Sequence, residues 1–112
     1  MAVTKQLLSG STDGRQIKVV AVATPGITVH VTVTDKDEVW LWAHNSSPLP
    51  VELTIEWGDV TAPDDTMKFT VPPKDGAFML IPGLIMTNNR TVRAFAATAN
   101  VVMVSGYVNR IA

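Results

Sequence analysis

Two histidines, His30 and His44, and ten carboxylates are the side chains of this 112-residue chain best suited to chemistry. A histidine moves protons near neutral pH or binds a transition metal, but a metal pair needs a third donor that spacing alone does not place here. Both histidines alternate with apolar neighbours, so they read as ordinary members of wet or interfacial strand faces. Asp59, Asp64 and Asp65 fall in one loop, and three carboxylates can offer oxygens to a hard cation such as calcium. Their spacing departs from the EF-hand pattern, so they read as solvated loop acids. The run Asp35, Lys36, Asp37, Glu38 reads as a solubilising hairpin tip rather than an acid–base pair.

Nucleophilic and nucleotide chemistry find no frame either. No serine lies in a G-x-S-x-G turn, and glycines 10, 14, 26, 58, 76, 83 and 106 form neither GxGxxG nor a Walker A loop. The chain has no cysteine, which excludes thiolate catalysis, disulfides and thiolate metal sites. The sequons at Asn45 and Asn89 read as chance matches. The expectation is a protein that is not an enzyme, with no catalytic residue, cofactor or metal.

Three tryptophans invite a different question, that of binding. Trp57 ends an apolar strand face and reads as core. Trp40 and Trp42 share the face opposite Val39 and Leu41, so one of those faces looks away from the local core or is roofed over. Exposed tryptophans stack on sugar rings or anchor protein partners. Arg93 and Arg110 fall within apolar strands, where long basic side chains mark a subunit boundary or a solvated edge.

The elements that position these residues are strands. Sixteen Val, thirteen Thr and six Ile favour pleated structure, because their branched Cβ loses freedom in helices. Ile27–Val33, Val51–Trp57 and Met67–Val71 alternate apolar with polar and so predict half-buried strands, with Glu52, Thr54 and Glu56 on a wet face. Val39–Ala43, Ala77–Ile81, Leu84–Met86, Val92–Ala99 and Val101–Val108 are apolar on both faces. A sandwich strand buries only one face, so the surplus points to a subunit interface, with central strands covered by loops as the alternative.

Breaks fall at Thr24–Gly26, Thr34–Asp37, Asn45–Pro50, Gly58–Asp65, Pro72–Gly76 and Asn88–Arg90. No window carries a capped helical period, apart from a single turn near Lys5–Leu8. Eight or nine short strands at this spacing predict an all-β, single-domain β-sandwich. The count favours a jelly-roll arrangement, with an immunoglobulin-like sandwich as the alternative. Residues 1–14 read as an extended N-terminal arm and 15–112 as the sandwich domain.

Composition removes whole classes of partner. Hydrophobic residues make up 46% and charged residues 17%, with a net charge of −1. That balance excludes a disordered chain and a strong electrostatic grip on nucleic acid or anionic membrane. The start, MAVTKQLLSGSTDGR, has no apolar h-region, and the longest apolar run is far too short to span a bilayer.

The Thr24-Pro25-Gly26 turn with EVWLWAHNSS (Glu38–Ser47), VELTIEWG (Val51–Gly58), VPPKDG (Val71–Gly76), LIPGL (Leu80–Leu84) and VRAFAATANVVMVSGYVNRI (Val92–Ile111) resembles small virion structural proteins of tailed phages. The resemblance covers nearly the whole chain from Ile17 onward. It implies a capsid decoration, or cement, protein on the head surface, made in the cytoplasm of the bacterial host. Such proteins commonly sit as trimers at lattice symmetry points and bridge neighbouring copies of the major capsid protein. The expected partners are therefore the chain itself, as a homotrimer, and that capsid protein. Trp40, Trp42, Phe78, Leu80 and Phe95 are the expected interface, with Arg93 and Arg110 at its boundary. Two other expectations stand beside this one: a carbohydrate-binding host-adhesion module, and a head–tail or tail subunit that forms larger rings.

Overall fold

Period-two burial runs along the long strands, as the β-branched composition requires. In β4 (Lys36–Asn45), Asp37, Val39, Leu41, Ala43 and Asn45 are buried and alternate with partly exposed Glu38, Trp40, Trp42 and His44. The computed structural model describes residues 2–112 and contains nine strands and no helix among them. One sheet, sheet A, has the order β1 (Val3–Leu7), β9 (Val102–Ile111), β4, β7 (Phe78–Met86), with the short β2 (Ile17–Lys18) also on β9. The other, sheet B, runs β3 (Ile27–Val31), β8 (Thr91–Ala96), β5 (Val51–Gly58), β6 (Thr66–Val71). All named pairings are antiparallel.

The strand order selects the jelly roll over the immunoglobulin-like alternative. β2 pairs with β9, β3 with β8, β4 with β7 and β5 with β6, so each strand of the first half meets its mirror in the second. That is one long hairpin rolled into two facing sheets. The core lies between them, built from Val39, Leu41, Leu53, Ile55, Ile81, Val92, Ala94, Val104 and Val108 among others.

Four local expectations are corrected. Residues 2–14 do not stand apart as the arm expected for 1–14, of which residue 1 lies outside the described residues. Val3–Leu7 pair in register with Tyr107–Ile111, replacing the expected helical turn near Lys5–Leu8. Leu8 is 1% exposed within the core, and the Gly10 amide donates to the Val29 carbonyl. Apolar Leu8 needs a core and the β9 edge needs a partner, and together these tie the segment down.

The runs Ala77–Ile81 and Leu84–Met86 form one strand, β7, that continues through Pro82 and Gly83. Its register against β4 shifts twice, and both Leu80 and Ile81 turn inward. Such bulges let an edge strand carry a proline and look apolar on both sides.

Gly26 serves its turn through close approach rather than positive φ. A Cβ there would collide with the Ala94 backbone, over which the turn folds. The turn thereby covers Glu56, which is fully buried rather than wet. Its carboxylate accepts from the Thr24 hydroxyl and from the Gly26 amide at 2.6 Å. The Asn88–Arg90 turn forms as expected, with both asparagines at positive φ, where their side chains are better tolerated than most.

Leu8→Ala should leave a cavity at the point where the N-terminal segment enters the core. We expect a loss of about 2–5 kcal/mol in denaturant unfolding, far more than for truncation of exposed Val3 to alanine.

Candidate functional site

The outer face of sheet A is the most chemically distinctive surface of the protein. Parity puts Trp40 and Trp42 of β4 on it, and β9 contributes Tyr107 directly opposite Trp40. The ring centroids are 6.3 Å apart for Trp40–Trp42, 6.3 Å for Trp40–Tyr107 and 6.1 Å for Trp42–Tyr107, with interplanar angles of 12° to 25°. A three-ring column would separate its outer members by about 7 Å or more, from carbon contact distances alone. The nearly equilateral spacing therefore sets at least one pair side by side, as a shared surface.

Trp40 is fixed in place. Its indole N–H donates to Glu38 Oε1 at 2.7 Å, and the Asn109 amide donates to the same oxygen at 3.0 Å. Those two donors, Asn109 first, hold the Glu38 carboxyl below the usual glutamate range. The indole lies over Gly83 of β7, where an added Cβ would fall 2.8 Å from Cζ2. Only glycine admits this approach, and its φ of 84° is also one that glycine adopts freely. On the other flank the Lys5 ammonium stands 5.3 Å from the Tyr107 ring centroid.

Beside these polar groups the face also carries exposed aliphatic side chains. Met79 is 42% exposed and Ile85 54% on the β7 side, with Val3 62% and Leu7 57% on β1. The outer face of sheet B carries Glu52, Lys68, Thr70 and Arg93, exposed or partly so, together with exposed Val31 and partly exposed Phe95. Its Lys68–Glu52 ion pair, at 3.9 Å and well exposed, contributes little.

Beneath the β1–β9–β4 ribbon lies a buried ion network. Asp37 has no exposure and His30 has 1%, so neither belongs to the wet positions expected for them. A bulge between Thr28 and His30 turns consecutive Val29 and His30 inward, which breaks the alternation. Asp37 belongs to β4 itself, on the parity of Val39, rather than to the hairpin tip. Arg110 Nε and a terminal guanidinium nitrogen reach its two carboxylate oxygens at 2.8 and 3.0 Å.

His30 Nε2 lies 2.8 Å from Asp37 Oδ2, and the Ser9 amide donates to His30 Nδ1 at 3.0 Å. An acceptor at Nδ1 places the imidazole proton on Nε2, which then donates to Asp37. Burial pushes the Asp37 pKa up, but the hydrogen bonds and charges of Arg110 and His30 outweigh it, and the net shift is downward. Arg110 is raised, chiefly by its bond to Asp37. Serine, histidine and aspartate meet here, yet not as nucleophile and base. The Ser9 hydroxyl accepts from the Val31 amide, and the imidazole nitrogen nearest Ser9 is taken by a backbone donor.

The expected interface residues do not form one site. Trp40 and Trp42 share the outer face of sheet A. Leu80 is in the core and Phe78 packs against it, because the β7 bulges rotate that end of the strand inward. Arg93 and Phe95 have the outward parity of β8 on sheet B, and Arg110 is held by Asp37. His44 donates from Nδ1 to the Gly76 carbonyl at 3.1 Å. Asp59 and Asp65 accept from their own loop's amides, and among the described residues no three metal-ligating groups cluster. An open cleft of about 520 Å³ beside Met103, lined by Ser11, Thr12, Arg15 and Lys18, brings no acid or histidine together.

Comparison with known proteins adds no relative. No family model matches the chain, and searches of curated proteins and of solved structures return no match.

Removing the shared carboxylate should be felt throughout the network. Asp37→Ala strands buried His30 and partly buried Arg110, and we expect a loss of about 3 kcal/mol by denaturant titration. Because folding lowers the Asp37 pKa below its ordinary 3.8, its contribution is present above about pH 4 and is lost as pH falls through the folded value. Asp37→Asn should therefore be less stable at neutral pH and show a flatter acid limb than the parent protein.

Proposed function

We propose that this is a virion structural protein of a tailed bacteriophage, a capsid decoration protein that binds the outer head surface as a homotrimer and stabilises the shell. The carrying observation is the apolar patch on the outer face of sheet A, where Trp40, Trp42 and Tyr107 are flanked by exposed Met79, Ile85, Val3 and Leu7. Exposed apolar surface of that breadth marks an interaction site, and the aromatic and Met side chains on it are those enriched at interfaces.

The rest of the architecture supports a mechanical, non-enzymatic role. Antiparallel pairing, interdigitated β-branched side chains and a buried ion network make a stiff unit. The jelly roll also recurs in viral capsid and lectin domains, a fold-level analogy only. In this reading sheet A's outer face forms the contacts between copies, and sheet B's face stays wet.

Light scattering on the purified protein should report a trimer. Ile85→Lys replaces an exposed residue on the sheet A face and should shift the mass toward monomer with little change in Tm. Binding to phage heads emptied of DNA, by co-sedimentation, should be lost in the same variant. A parent protein that fails to bind such heads would overturn the decoration reading.

The ring geometry favours a second reading, as a glycan-binding module. Near-parallel rings that share a surface present apolar faces to a pyranose, and Glu38, Asn109 and His44 provide polar groups at the rim. A glycan array would then show selective binding that Trp42→Ala abolishes, whereas a flat array removes this reading.

A further inference from the structure

The first strand stands outside the logic of the roll. Strands β2 to β9 complete the mirrored pairing by themselves, and β2 occupies β9 only at Met103 and Val104. Strand β1 fills the rest of that edge, from Tyr107 to Ile111, with its register extended by the Ala112 amide donating to the Ala2 carbonyl. Four of its five residues are exposed, and the fifth, Gln6, is only partly covered. What holds it is backbone pairing and one cation–π contact, not apolar burial.

The chain is anchored immediately after this strand. Leu8 is in the core, Ser9 bonds His30 and Val31, and Gly10 bonds Val29. A pivot between Leu7 and Leu8 would therefore swing β1 away while leaving the roll and its ion network intact. The vacated Tyr107–Ile111 edge would expose unpaired main-chain groups, which a strand of the same sequence satisfies in the same register. All five residues lie in the paired strand and Leu8 is anchored directly after it, so exchange requires the Tyr107 ends of two such edges to adjoin across the axis relating the copies.

We propose that β1 is exchanged between copies, each chain laying Val3–Leu7 along the Tyr107–Ile111 edge of its neighbour. The proposal rests on the self-association reading above and adds the element that links the subunits. Strand exchange costs little where the bonds made in trans repeat those made in cis. It converts a contact between surfaces into a chain-to-chain tie.

The absence of native cysteine makes the test clean. Lys5 and Asn109 are register partners on β1 and β9, so Lys5→Cys with Asn109→Cys in one chain places thiols at that pairing. A short bis-maleimide then joins them without the strict geometry of a disulfide, and light scattering on the same sample gives the native mass. Exchange predicts chains joined to one another on a denaturing gel, closing at the trimer. A trimer by scattering that runs as internally bridged monomers overturns exchange and leaves self-association standing. A monomer by scattering with internally bridged chains overturns both.

Discussion

Asp37 is the point on which the N-terminal half of the structure turns. The parity of β4 drives this carboxylate into the interior, where an unpaired charge would be prohibitive. Its two oxygens are met by Arg110 from β9 and His30 from β3, so one residue ties sheet A to sheet B. The imidazole must then present a lone pair at Nδ1, and the Ser9 amide supplies the donor. One buried charge is thus linked through His30 to a bulge in β3, a fixed tautomer and the backbone of the segment after β1.

A second constraint acts on the opposite side of the same strand. With odd residues of β4 committed to the core, Trp40 and Trp42 have nowhere to go but outward. There they meet Tyr107 and lie against a β7 that supplies glycine beneath Trp40. Glu38 holds this arrangement from its edge, through Trp40 and Asn109. Trp40 is thus held by a hydrogen bond at its edge, glycine beneath it and two neighbouring rings. That rigidity suits a surface that must fit a partner without a large ordering entropy.

The sandwich and most strand positions were legible in the sequence because alternation and turn residues are local signals. The strand order was not, since pairing between β2 and β9 or β3 and β8 spans most of the chain. Bulges caused the residue-level errors. One at His30 and two in β7 shifted parity, which hid a buried histidine and made core Leu80 look available for an interface. Asp37 differs for a simpler reason: its charge suggests a wet position, whereas its parity with Val39 and Leu41 places it inside. Tyr107 is not legible as part of the cluster, because its partners are cross-strand and no spacing within β9 points to Trp40. The burial of Glu56 is not legible, because nothing local indicates that the Thr24–Gly26 turn folds back over sheet B.

The two uncommon features of sheet A meet on β9. Tyr107 belongs to the aromatic cluster and is also the register partner of Leu7, with the Lys5 ammonium above its ring. The aliphatic rim at Val3 and Leu7 is therefore carried by the one strand that the roll does not need. Whatever occupies the Tyr107–Ile111 edge sets the border of the apolar face, its charge at position 5 and its width. Edge and face are thereby coupled through a single strand. A change in the origin of β1 alters the rim of the face without repacking the core, because the chain is fixed again at Leu8.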